Sequence, residues 1–108
     1  MLHRFGLRTM TMLNDFPLIH PGEYLAELLV ELSISQAALA RMLGVSPMRI
    51  SHIVNCSRPV TAEMALLLGK AFGQTPGYWL NLQSIYELKS AEAKLAKRLK
   101  SVRSIIAD

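Results

Sequence analysis

Residues 35–55 read SQAALARMLGVSPMRISHIVN. Three residues punctuate this stretch. Ser35 offers a hydroxyl that caps a helix beginning at Gln36. Gly44 ends that helix, because glycine most easily takes the left-handed conformation that closes one. Ser46 caps the next, with Pro47 at its first position, where a missing N–H costs nothing. Leu39, Ala40 and Leu43 form the inward side of the first helix, and Ile50, Ile53 and Val54 the inward stripe of the second. Val45 is a single apolar plug between them. Two short helices joined by Leu43-Gly44-Val45-Ser46 predict the tight turn of a helix-turn-helix, with Ala40 small where the helices approach.

The outward side of the second helix is polar. With Ile50 pointing inward, about 100° per residue places Met48 and His52 nearly opposite, flanked by Arg49, Ser51 and Asn55. A face of this chemistry suits the major groove of double-stranded DNA. Arg49 can pair bidentately with guanine, and Met48 can meet a thymine methyl. His52 and Asn55 suit either a base edge or a phosphate. We therefore assign Ser46, Met48, Arg49 and His52 to base reading. The phosphate track is assigned to Gln36, Ser51, Asn55, Ser57 and Arg58, with Gln36 in a first turn whose backbone N–H groups are free.

Working outward, Pro21 opens a helix whose apolar face is Leu25, Leu28, Leu29 and Leu32, with Glu23, Glu27 and Glu31 on another face. Asn55 to Pro59 is a polar loop. Thr61 caps a fourth helix over residues 62–72, closed by Gly73. Thr75 and Pro76 open a fifth, and with no Pro or Gly beyond Gly77 it is predicted to run to about Ile105. Residues 1–19 show no helical period and read as an arm, in which Met10 and Met12 are alternative starts. The expected organisation is that arm, a helix-turn-helix domain over 20–90, and a basic amphipathic helix over 91–108. The fold class is all-α: a five-helix, lambda-repressor-like domain with a long C-terminal helix.

Composition bounds the function. The 108 residues suffice for one small core, and 6% aromatic content leaves it to aliphatic side chains and Ala. A net charge of +4 is compatible with an anionic partner without requiring one. The single cysteine excludes an internal disulfide framework, and no apolar run approaches the ~20 residues that cross a bilayer, so a cytoplasmic protein with no membrane role is expected. His52 and Cys56 have a metal-like spacing, but only His3 and His20 remain to complete a zinc set, so no metal is expected. Phe72, Tyr78 and Trp79 read as core rather than a ligand pocket. No nucleophile, base and orienting carboxylate combine, and no glycine loop cradles phosphate, so neither an enzyme nor a cofactor is expected.

The stretch His20-Pro21-Gly22-Glu23, followed by residues 35–83, resembles the HigA/VapI family of antitoxins within the Xre-type helix-turn-helix group. The resemblance covers about residues 20–90. It is most specific at HPGE, at ISHIVN (residues 50–55), and at Trp79-Leu80-Asn81-Leu82-Gln83. It implies a homodimer on palindromic operator DNA, repression of the shared operon, and a neutralised ribonuclease toxin of the HigB/RelE type. The alternatives are a freestanding helix-turn-helix regulator without a toxin, and an interaction module that no longer touches DNA. Two features depart from the family: Cys56 stands where glycine is usual, and the segment before His20 is long. A left-handed turn at Cys56 would cost more than at glycine. The tail carries six basic residues from Lys89 to Arg103 beside an apolar stripe of Leu88, Ala91, Leu95, Leu99 and Val102. The basic residues suit a solvated face, flanking DNA or a toxin. The stripe needs a cover from its own domain, a second copy or a toxin.

Overall fold

The computed structural model describes residues 18–106. The predicted arm lies outside the described residues, apart from Leu18 and Ile19, both exposed. Six helices follow: α1 (Pro21–Leu32), α2 (Gln36–Leu43), α3 (Pro47–Val54), α4 (Ala62–Phe72), α5 (Pro76–Lys94) and α6 (Ala96–Ser101). No strand occurs among the described residues. Contacts divide them into a unit over Ile19–Tyr86 and a segment from Glu87 onward.

Within Ile19–Tyr86, side chains start the helices. Ser35 Oγ accepts the Ala38 N–H at 3.0 Å, Ser46 Oγ that of Arg49 at 3.3 Å, and Thr61 Oγ1 that of Met64 at 3.3 Å. Each satisfies a first-turn donor that has no partner inside its helix. Gly44 closes α2 at φ 71°, and the Val45 N–H reaches back to the Ala40 carbonyl at 3.0 Å. The predicted turn forms as read.

The core follows the same stripes. Leu25 and Leu29 of α1, Leu39 and Ala40 of α2, Ile50 and Ile53 of α3, and Met64, Ala65 and Leu68 of α4 are buried around Trp79. Removing each large aliphatic side chain from water contributes about 1.5–3 kcal/mol. Leu43, Val45 and Val54 pack against this core partly buried. Leu32, expected on the inward face of α1, is exposed where the chain turns left-handed at Ser33, φ 56°.

The HPGE stretch acquires a physical account here. His20 is buried and its Nδ1 accepts the Gly22 N–H at 2.8 Å, capping α1. Pro21 fills the first turn, buried. A Cβ on Gly22 would lie 1.8 Å from the Ile53 carbonyl oxygen, so only glycine lets α1 cross the end of α3 at this distance. His20 thus serves the fold as the first residue of the predicted domain.

Trp79 also sits where the sequence places it. Fully buried, it stacks near Tyr24 of α1, Phe72 of α4 and Tyr78, with ring centroids 5.5–6.2 Å away, and its Nε1–H donates to Gln74 Oε1 at 2.7 Å. Burial, with Tyr24 beside it, pushes the Tyr78 phenol above its usual range.

The segment from Glu87 onward differs from expectation. The long helix stops at Lys94. Leu95 leaves helical geometry, α6 runs only to Ser101, and Val102 is extended. The ladder bridges the break, since Leu95 N–H donates to Ala91 O and Leu99 N–H to Leu95 O. No Pro or Gly marks this point, so no local rule in the sequence announces it. Every residue from 91 to 106 is exposed. Among the described residues from 91 onward none is buried, and short helices are marginal without burial.

Candidate nucleic-acid interface

The candidate surface is built on α3, which α1 and α2 both contact. With Ile50 and Ile53 anchored in the core, the rest of the helix is fixed in rotation. Met48 is 65% exposed, an apolar side chain on an otherwise polar face. Arg49, Ser51 and His52 are half-buried, and Asn55 is exposed. Of the outward set read from the sequence, Met48 and Asn55 are thus open to solvent and Arg49, Ser51 and His52 partly so.

Several of these groups are already engaged. Ser46 uses its oxygen as the α3 cap. The Asn55 amide donates to Ser51 Oγ at 3.4 Å. Ser57 Oγ donates to the His52 carbonyl at 3.1 Å, and that carbonyl also accepts the Ser57 and Arg58 N–H groups. The Ser57 hydroxyl thus closes the turn after α3. Arg58, next in the chain, is exposed at its edge.

Arg49, His52 and Arg58 converge on a cleft of about 180 Å³, floored by Ile53 and Met64 and bordered by Pro59 and Thr61. Two guanidiniums and an imidazole at one opening favour an anionic group. Gln36 is elsewhere. It lines a separate groove of about 430 Å³ between α1 and α2, with Val30, Ile34 and Val54. The phosphate track assigned from sequence is not one continuous cleft.

The loop between α3 and α4 is held at both ends. The Val60 N–H donates to Gln83 Oε1 at 2.8 Å, and Gln83 is buried. The WLNLQ stretch therefore ties that loop to α5, in addition to seating Trp79 between α1 and α4. At the other end Cys56 adopts φ 64°, the left-handed turn that favours glycine. Its Sγ lies near the Val54 carbonyl, and burial together with the Glu23 carboxylate pushes the thiol above its ordinary value. Local strain at Cys56 is tolerated without loss of the fold.

One interface residue escaped the sequence reading. Glu63, in the first turn of α4, accepts from Arg49 Nη2 at 2.9 Å. Its only sequence signal is an acid following the Thr61 cap, which a helix start explains by itself.

Residues 25–80 match the helix-turn-helix family. Virulence-associated protein I of Dichelobacter nodosus is 49% identical over 80 residues, 73% of this chain and 74% of its own length. A HigA-family addiction-module antidote protein from Coxiella burnetii superimposes with a TM-score of 0.80 at 41% identity, covering 84% of this chain and all of that one. The chain belongs to the HigA-type helix-turn-helix antitoxin family. Pseudomonas aeruginosa antitoxin HigA, solved with the higBA promoter, matches at TM-score 0.79 and 41% identity, over 84% of this chain and all of its own. The family is non-enzymatic. Among the described residues, no helix of this HigA-type chain is long and apolar enough to cross a membrane, and no three His, Cys, Asp or Glu side chains group to hold a metal.

Proposed function

We propose that this chain binds operator DNA as a cytoplasmic homodimer, represses its own operon and neutralises a ribonuclease toxin of the HigB/RelE type. The observation that carries the DNA half is the solvent-facing side of α3. A capped helix anchored by Ile50 and Ile53 presents Met48, Arg49 and His52 outward, beside the Arg58 turn. Ser46, Met48, Arg49 and His52 read bases, and Gln36, Ser51, Asn55, Ser57 and Arg58 meet the phosphates. The relative solved with its promoter supports this reading. Family membership supports the toxin half. A two-fold dimer sets two copies of α3 one DNA turn, or a multiple of it, apart.

The test is a tagged copy recovered from its native host, with a footprint on the DNA upstream of its gene. One small stoichiometric protein partner and two protected half-sites are expected. A footprint without a protein partner leaves a freestanding regulator. A partner without any footprint at low salt leaves an interaction module.

A further inference from the structure

The helix start explains an acid at Glu63, but not its reach to Arg49. Its side chain is 67% exposed, and the Arg49 side chain that it meets is 41% exposed. A pair this open to water contributes little to stability. A first-turn acid helps the start of α4 wherever its side chain points, so the helix does not require the reach to Arg49. A carboxylate paired with Arg49, which lines the cleft with His52 and Arg58, also opposes a phosphate that approaches Arg49.

We propose that Glu63 determines specificity: its carboxylate holds the Arg49 guanidinium ready for one guanine and disfavours DNA that lacks it. The proposal rests on the base-reading role of Arg49 given above. The donor count allows it. Arg49 carries five N–H groups, Glu63 takes one from Nη2, and guanine O6 and N7 need two more. Held at one end, the long side chain loses less freedom when it meets the base. The same carboxylate returns nothing on DNA without that guanine, where repulsion of phosphates remains. Glu63 is thus a positioning residue, acting through Arg49.

The experiment uses the full chain and the duplex that it enriches from a random pool. Arg49→Ala is scored first against every single-base change in that duplex, to find the base pair whose preference depends on Arg49. At that base pair, Glu63→Ala is expected to lower discrimination about three- to tenfold, while binding to a scrambled duplex rises at low salt. Glu63→Gln keeps an acceptor for Nη2 and loses the charge. It should retain discrimination within about threefold of the wild type, yet gain scrambled-duplex affinity. In the Arg49→Ala background, Glu63→Ala should leave discrimination unchanged. A merely structural role would lower binding to all duplexes alike, which would overturn the proposal. An equal loss of discrimination in both backgrounds would also overturn it, as would base preferences indifferent to Arg49→Ala. If the wild type enriches no sequence, the DNA-reading role itself falls, and this proposal with it.

Discussion

The unit over Ile19–Tyr86 and the segment from Glu87 onward both carry apolar residues at helical spacing, and they use them differently. In the first, α1 to α4 each begin on a side chain that accepts a backbone N–H, and the apolar stripes end in a core whose members are at most 6% exposed. In the second, α6 has no side-chain cap, and Leu88, Leu95, Leu99 and Val102 are 38–70% exposed. An apolar period therefore reports that a face exists, not what covers it. Caps and close contacts between distant residues are what separate a packed helix from an amphipathic one.

The contrast breaks most severely at Trp79. Replacing this fully buried ring with Ala should cost about 3–5 kcal/mol in denaturant unfolding, since its removal empties the contact between α1, α4 and α5. A loss below about 1 kcal/mol would mean that the centre of the core lies elsewhere. Next comes Gly22→Ala. The added methyl meets a backbone carbonyl that no rotamer change can move, so α1 must shift off α3, at a cost of about 3 kcal/mol. Thermal melts with and without the substitution measure it. An unchanged melt would show that the α1–α3 approach is looser in solution.

These positions also mark the limit of what the sequence made legible. The caps, the Gly44 turn and the α3 stripe are local, each decided within a few residues by backbone chemistry, and the solvent-facing side of α3 follows from them by rotation alone. Gly22 against Ile53, Gln83 on Val60 and Glu63 on Arg49 depend on how helices cross, so no spacing rule foretells them. The division of Gln36 from the Arg49–Arg58 cleft is of the same kind. Cys56 lies between these cases. Its strain was legible as a non-glycine in a turn, whereas its neighbour Glu23 was not. Cys56→Gly should stabilise the chain by about 0.5–1 kcal/mol, relief of the left-handed backbone slightly exceeding the entropy gained by the unfolded chain. A destabilised variant in denaturant titration would show that the packing of the half-buried side chain outweighs the strain.

The smallest effect sharpens the comparison from the other side. Leu99 belongs to an apolar stripe, as Leu25 does, but it is 50% exposed where Leu25 is fully buried. Leu99→Ser removes an apolar side chain that already meets water, so it should change unfolding stability by no more than about 0.5 kcal/mol. The corresponding change at Leu25 would leave a cavity and an unpaired hydroxyl, costing several times more. Measuring both by urea unfolding at two protein concentrations separates packing within the chain from packing between chains. Equal and large losses at the lower concentration would place the Leu99 stripe inside a folded core and erase the distinction. A Leu99 effect that grows with concentration would show a stripe covered only on association, as mass action requires when partners bind the folded state.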